Sequence, residues 1–137
     1  MPRVKLLRML DDLPIIKGFR PIWMKANLRQ AVIMNLEEYE ALRLIDYEKQ
    51  IHEQAASTMN ISRPTFTRIY ETARQKLTTA LVEGRSLLIE GGNVTIQESH
   101  WYCESCFHKF STAIASEADE MACPKCNSKQ LLNLNDC

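Results

Sequence analysis

Two cysteine pairs in the C-terminal part of the chain place the strongest constraint on how it can fold. Cys103 and Cys106 form one Cys-x-x-Cys motif, and Cys123 and Cys126 form a second one after an insert of 16 residues. Each motif presents two thiolates from a tight turn, and two such turns supply the four ligands of a tetrahedral metal site. Because residues 98–137 are too few to build a stable apolar core, metal binding must supply much of their folding free energy.

The spacing favours one structural zinc ion per chain over the other uses of these cysteines. A rubredoxin-like iron site has the same motifs, but it usually has a longer insert and a glycine after each motif, where Phe107 and Asn127 stand here. A dithiol redox role is the least favoured alternative, because two pairs at metal spacing are already accounted for by a metal. His100 and His108 lie nearby and could replace a ligand, although four cysteines already complete the set. Cys137 is expected to be a spare exposed thiol.

Composition and the first 20 residues predict a soluble cytoplasmic protein without a membrane partner. Hydrophobic residues make up 45% of the chain and charged residues 25%, which is the balance of a globular protein. No run of ~18 uncharged apolar residues could form a transmembrane helix, and the charged N-terminal segment lacks the apolar stretch of a secretory signal. In the cytoplasm, cysteines serve as thiols or metal ligands more often than as disulfides.

The net charge is zero, but the charges are segregated along the chain. Residues 1–34 carry seven Lys/Arg and two Asp/Glu, and residues 59–85 carry five against two. Residues 35–58 carry two against six, and residues 86–137 carry three against seven. Two basic blocks around an acidic one suggest a face that attracts a polyanion, and charge alone leaves an alternating solvated surface equally open. We interpret the first block as a basic N-terminal arm or as irregular strands, and not as a long helix.

Apolar spacing in the middle of the chain predicts a helix-turn-helix. Amphipathic helices are expected over 36–48, which Asn35 caps, and over 51–59. After a short turn, Ser62 caps a longer helix that Gly84 ends. The residues expected to face inward from the second and third helices are Ile51, Ala55, Ala56, Met59, Phe66, Ile69, Ala73, Leu77, Ala80 and Leu81.

The outward face of the longer helix has the side chains that read DNA. Arginine can form two hydrogen bonds to guanine, and threonine can contact a thymine methyl group or a phosphate. The capping hydroxyl at the helix N-terminus can hold a backbone phosphate. The expected DNA-binding residues are Ser62, Arg63, Thr65, Thr67, Arg68 and Arg74. His52, on the shorter helix, is expected to be a surface residue.

Residues 86–97 are predicted to form a β-hairpin, because the Gly-Gly pair at 91–92 can adopt the positive φ angles that a two-residue turn needs. In this register four apolar side chains share one face, which helix 36–48 or a second subunit must cover. The facing pairs are Ile89 with Val94 and Leu87 with Ile96.

Two resemblances follow from particular residues. Ile61-Ser62-Arg63, Arg68-Ile69 and Lys76-Leu77 make residues 51–77 similar to the region-four helix-turn-helix of bacterial sigma factors, with Asn60 in place of the usual turn glycine. A second set of matching pieces covers about residues 2–92. These pieces are Phe19-Arg20-Pro21, Glu40-Ala41-Leu42-Arg43-Leu44, Gln54-Ala55-Ala56, Ser62-Arg63-Pro64-Thr65-Phe66, Arg68-Ile69, Ala80-Leu81-Val82-Glu83-Gly84 and Ile89-Glu90-Gly91-Gly92. They resemble the domain of unknown function 134 family, a resemblance that implies presumed DNA binding.

These observations predict a mainly α protein with a small C-terminal β zinc ribbon. The expected parts are the basic arm (1–34), a helix-turn-helix domain with a β-hairpin (35–97) and the zinc ribbon (98–137). The expected function is sequence-specific binding of double-stranded DNA by a homodimeric transcriptional regulator. Two alternatives stay open: a zinc ribbon that binds a protein or RNA partner, and a metal- or redox-responsive regulator. No set of catalytic groups is evident, so we do not expect an enzyme.

Overall fold

A computed structural model of the chain describes residues 8–10, 12–23, 29–96, 98–112 and 121–136. The chain divides into two compact units, and each is described by itself. The first contains the described residues within 1–11 and 16–95, and the second contains those within 12–15 and 96–137. The predicted free thiol Cys137 and residues 1–7, 11 and 24–28 of the predicted arm lie outside the described residues.

The helices of the first unit begin and end where local signals place them, with one exception. Asn35 caps the first helix, because its side chain accepts a hydrogen bond from the Glu38 N–H and the Glu38 carboxylate accepts one from the Asn35 N–H, both at 2.9 Å. This reciprocal cap is confirmed. The exception is the predicted helix 36–48, whose second half is π-helical. The elements are α1 (Leu36–Leu42), a π-helical segment (Arg43–Tyr47), α2 (His52–Thr58) and α3 (Arg63–Glu83).

A tight turn joins α2 to α3. Asn60 adopts a left-handed conformation with φ of 58°, which asparagine tolerates. The Ser62 side chain then accepts a hydrogen bond from the Thr65 N–H and caps α3. At the other end, Gly84 ends α3 with φ of 64°. The expected turn, cap and helix end are therefore confirmed.

The α-helices enclose the main apolar core of the first unit. Its buried residues are Ala41, Leu44, Ala55, Ala56, Met59, Phe66 and Tyr70. Two residues expected to face inward are instead exposed: Ile51 by 60% and Leu81 by 75%. Ile51 is the N-cap of α2 and precedes its first helical turn. In the last turns of α3 the Ala80 side chain is buried, and the next residue, Leu81, faces solvent. Within the described residues we find no helix that has the length and hydrophobicity of a membrane span.

The prediction of a mainly α fold is wrong, because the described residues also form three small sheets and the fold is mixed α/β. In the first unit, β4 lies between β2, which is antiparallel to it, and β3, which is parallel. A second pair, β1 and β5, is parallel. These strands have two or three residues each, too few to show a period in the sequence. They are β1 (Arg8–Met9), β2 (Gly18–Phe19), β3 (Val32–Met34), β4 (Leu87–Ile89) and β5 (Val94–Thr95).

The predicted β-hairpin over 86–97 is also wrong, since β4 and β5 belong to different sheets. Leu87 and Ile89 are buried within the first unit, with Leu87 in a cluster that includes Val32, Met34 and Ala73. The Gly-Gly pair lies against the first residue of α1, because the Gly91 carbonyl accepts a hydrogen bond from the Leu36 N–H. The strand partners are distant in sequence, so local turn chemistry did not reveal them.

The second unit is a three-stranded antiparallel sheet in the order β7-β6-β8. Trp101 and Leu134 are buried, and the Trp101 indole N–H donates to the Thr112 hydroxyl at 3.2 Å. The Lys109 ammonium donates to the Asp12 carboxylate at 2.8 Å, which joins residues 12–15 to the sheet. The elements are β6 (Ser99–Cys103), β7 (Lys109–Thr112), β8 (Leu131–Asn133) and a short 3-10 helix (Leu134–Asp136).

Candidate functional site

The fold brings the four predicted cysteine ligands together. The Sγ atoms of Cys103, Cys106, Cys123 and Cys126 all lie within 4.8 Å of one another. Cys103 and Cys126 are separated by 3.5 Å, and Cys106 and Cys123 by 3.6 Å. A tetrahedral ion with metal–sulfur bonds of ~2.3 Å separates its sulfur atoms by about 3.8 Å. The donor set therefore fits a metal ion, and it involves both motifs.

Backbone hydrogen bonds shape the turn of the first motif. The Cys103 N–H donates to the His108 carbonyl at 2.9 Å, and the Phe107 N–H donates to the Cys103 carbonyl at 2.9 Å. The chain leaves this turn through a left-handed conformation at Phe107, whose φ is 64°. We call the segment from Cys103 to His108 the first knuckle.

The second motif repeats this pattern. The Cys123 N–H donates to the Ser128 carbonyl at 2.9 Å, and the Asn127 N–H donates to the Cys123 carbonyl at 2.8 Å. Asn127 has φ of 61°. We call the segment from Cys123 to Ser128 the second knuckle. Both knuckles therefore adopt the left-handed turn without the glycine that usually follows the motifs of an iron site.

Backbone donors favour the thiolate form of the first cysteine in each knuckle. A hydrogen bond from the Cys106 N–H lowers the pKa of Cys103 to about 6, against the opposing effect of burial. Burial by itself would raise the pKa of Cys123, but hydrogen bonds from the Cys126 and Lys125 N–H groups lower it. Burial raises the pKa of Cys106 to about 12. The turns therefore favour, at Cys103 and Cys123, the thiolate form that a metal ion would bind.

Neither nearby histidine competes with the cysteines. The His100 side chain is largely buried, and its Nδ1 lies 3.8 Å from an Asp12 carboxylate oxygen. The His108 ring stacks on Phe110 with centroids 6.0 Å apart. The four-cysteine cluster is the one group of potential metal ligands found among the described residues.

The predicted DNA-binding residues lie along α3. Arg63, Arg68 and Arg74 are exposed, and Thr65 is half-buried. Arg63 and Arg68 form no ion pair with any residue that the structure describes. Ser62 donates its hydroxyl hydrogen to the Thr65 hydroxyl at 2.9 Å, so this pair stabilises the start of α3.

Two of the predicted DNA-binding residues have contacts within the first unit. The Thr67 hydroxyl lies 3.0 Å from His52 Nδ1, and the Arg74 guanidinium lies 5.5 Å from the centre of the Tyr70 ring. Tyr70 donates its hydroxyl hydrogen to Asp46, which belongs to the π-helical segment. The sequence analysis did not predict these contacts of Thr67, Arg74 and Tyr70, because they depend on how the helices pack together.

The expectation that His52 is a surface residue needs correction. His52 is half-buried, and its ring meets Phe66 and Tyr70 edge to face at centroid distances of 5.4 and 5.2 Å. The position of His52 in the first turn of α2 could have predicted this contact with α3. A residue in the first turn of a short helix can reach the next helix when a tight turn brings the two together.

The fold and the cysteine cluster define a class of protein: a small mixed α/β unit, together with a second unit whose four cysteines can hold a metal. Comparison with known proteins gives the family. The profile of a family described as "Protein of unknown function DUF134" matches residues 1–97. The chain belongs to this family.

The chain is similar to curated proteins along nearly its whole length. A UPF0251 protein of Chloroherpeton thalassium is 41% identical over 131 residues, which are 96% of this chain and 85% of the relative. One from Pelotomaculum thermopropionicum is 38% identical, covering 93% of this chain and 95% of the relative. One from Methanococcus vannielii is 41% identical over 96 residues, covering 70% of this chain and 74% of the relative. No solved structure matches the chain.

Proposed function

We propose that this protein is a sequence-specific DNA-binding protein, a transcriptional regulator, whose α3 reads the major groove of double-stranded DNA. The observation that carries the proposal is the pair of exposed arginines, Arg63 and Arg68, in the first two turns of a helix that follows a tight, capped turn. This is the part of a recognition helix that enters the groove. The resemblance of residues 51–77 to sigma-factor region four supports the same role.

The contacts within the first unit suggest which residues of α3 contact bases and which stabilise the packing of the helices. Arg63 and Arg68 are free of described ion pairs and can reach base edges, where each bidentate contact discriminates between bases. Thr67 bonds to His52 and Arg74 lies over Tyr70, so these two residues are better placed to fix α2 and α3 than to read bases. We assign Ser62 and Thr65 to a phosphate contact at the start of α3.

We propose that the cysteine cluster holds one structural zinc ion and that the second unit is a zinc ribbon. Four thiolates in a tetrahedral arrangement form a closed site without an open position for catalysis. Elemental analysis of the purified protein should find one zinc per chain. Iron in place of zinc would contradict this assignment.

We also propose that the protein binds DNA as a homodimer, because one short recognition helix reads few bases and two half-sites double the information. Leu87 and Ile89 of β4 are covered within the chain, so these two side chains do not form the interface of this dimer. Sedimentation at micromolar concentration tests the proposal, and a monomer that binds only half-sites would refute it.

The central experiment selects DNA fragments from a random duplex library with the zinc-loaded protein and then measures affinity for the selected site. Arg63→Ala and Arg68→Ala should each weaken that affinity by ~1–3 kcal/mol and relax base preference at one position. Arg20→Ala, which removes an exposed arginine outside α3, is the matched control. If all three variants lose the same affinity on selected and random duplexes, α3 is not the reading helix.

A further inference from the structure

The two knuckles share a backbone but differ at the residue that leaves each turn. Asn127, with φ of 61°, is of a type that tolerates the left-handed conformation. Phe107 occupies the equivalent position with φ of 64°, and a bulky aromatic residue is strained there. The backbone therefore does not account for the phenyl ring, since asparagine meets the same requirement in the second knuckle.

Packing within the second unit does not account for the ring either. The Phe107 side chain is 72% exposed, whereas Trp101 is buried. Phe107 stacks on Tyr102 with ring centroids 6.4 Å apart and an angle of 27° between the planes. The two rings form an aromatic platform that opens to solvent, and we call them the Tyr102–Phe107 platform. Strained residues kept at exposed positions point to function.

The second knuckle contacts the first knuckle and carries exposed basic groups. The Ser105 and Ser128 hydroxyl oxygens lie 2.9 Å apart, so the two knuckles are in contact at these residues. Lys125 and Lys129 are exposed on and just after the second knuckle, and neither forms an ion pair within the described part of the chain. The first knuckle contributes one exposed carboxylate, Glu104. Two exposed lysines on and just after one knuckle and an exposed aromatic platform on the other fit an anionic ligand with flat rings.

We propose that the Tyr102–Phe107 platform binds single-stranded nucleic acid. A base stacks on Phe107, and Lys125 and Lys129 neutralise backbone phosphates next to it. Only unpaired bases expose their faces, so a duplex does not fit this site. The site lies in the second unit and is independent of duplex reading by α3. Stacking is tolerant of sequence, so the shared chemistry of DNA and RNA single strands defines the ligand.

Fluorescence anisotropy of the zinc-loaded full-length protein tests the proposal with oligothymidylate and oligouridylate probes of ~12 nucleotides. The key variant is Phe107→Asn, which copies the second knuckle and keeps the left-handed turn while removing the ring. It should weaken binding of both probes by at least about fivefold. The ratio of the two wild-type affinities shows whether DNA or RNA is preferred.

Three control variants show whether a loss of binding comes from the missing ring at position 107. Phe107→Tyr keeps an aromatic ring and should bind like the wild type. Tyr47→Asn removes a ring that is 79% exposed in the first unit and should leave binding unchanged. Arg68→Ala should weaken duplex binding without affecting single strands, so the two proposals can fail separately. Zinc content measured for each variant confirms that the second unit is intact.

A salt titration tests the two lysines. Replacing Lys125 and Lys129 with Gln together should lower the slope of log affinity against log salt by about 1.4 for a single strand. Crosslinking of a 4-thiouridine probe to the wild-type protein should label Tyr102 or Phe107. Failure of both probes to bind saturably, or equal affinity of Phe107→Asn and the wild type, would overturn the proposal and leave the platform to a protein partner.

Discussion

Different interactions stabilise each of the two units of this protein. The first has an apolar core in which Phe66 and Met59 are completely buried, and it also buries three glutamates of α1 in ion pairs. In the second, Trp101, Leu134 and Leu13 are buried, while two of the most buried side chains are the ligands Cys103 and Cys123. A chain segment this short cannot bury enough apolar surface to offset its conformational entropy. If the cysteine cluster holds a metal, metal binding takes the place of an apolar core in the second unit.

Removal of the metal gives the largest expected difference between the units. Cys106→Ser or chelation should unfold residues 99–112 and 121–135, because we expect metal binding and folding to be coupled there. The helices α1, α2 and α3 should remain, since no cysteine lies in the first unit. Amide hydrogen exchange checks both parts in one sample. Ser105→Ala, a change between Cys103 and Cys106, is the matched control, and a second unit that stays protected without metal would contradict this prediction.

A core truncation in the first unit should have the opposite pattern. Phe66 of α3 is completely buried in the apolar core of the first unit, so Phe66→Ala should lower the free energy of unfolding by ~3–5 kcal/mol. The second unit should keep its metal. Thermal unfolding followed by circular dichroism, with zinc content measured on the same protein, provides the check. Tyr47→Ala, at an exposed aromatic residue, should change stability by less than ~0.5 kcal/mol.

The first unit also differs from the second in burying glutamates in ion pairs, and Glu40 provides a test of this feature. The Glu40 side chain is fully buried and bonds to the Arg43 guanidinium, which also pairs with Glu48. Glu40→Gln should lower the free energy of unfolding by about 2–3 kcal/mol, because Arg43 loses its buried partner but keeps the exposed one. Glu83→Gln, at a more exposed pair with Arg29, should cost less than ~1 kcal/mol. Equal losses in urea unfolding would contradict this ranking.

Local signals explain which parts of the fold were predictable. Asn35, Ser62 and Gly84 act within one turn of their own positions, so their roles follow from residue type and spacing. The cysteine cluster was predictable for a similar reason: the two residues between the cysteines of a motif force a tight turn, and two such motifs need each other to complete a site.

The remaining elements depend on partners distant in sequence. Strand β4 pairs with β3 across all of the intervening helices, and no property of residues 86–97 alone distinguishes this from a local hairpin. The bond between His52 and Thr67 likewise exists only once α2 packs on α3. Short strands and packing contacts of this kind carry little local information, which is why the mainly α prediction was wrong.

The smallest expected effect compares the two knuckles directly. Phe107 and Asn127 share one backbone conformation, and left-handed geometry costs a bulky residue roughly 1 kcal/mol more than it costs asparagine. Phe107→Asn should therefore raise the stability of the zinc-loaded second unit by about 1 kcal/mol, while Asn127→Phe should lower it by a similar amount. Hydrogen exchange of β6 amides measures both changes. A stability gain at position 107 combined with weaker single-strand binding would mean that the strain at Phe107 is retained for function, as stability and activity often oppose each other. A stability loss in Phe107→Asn would instead assign the ring to packing.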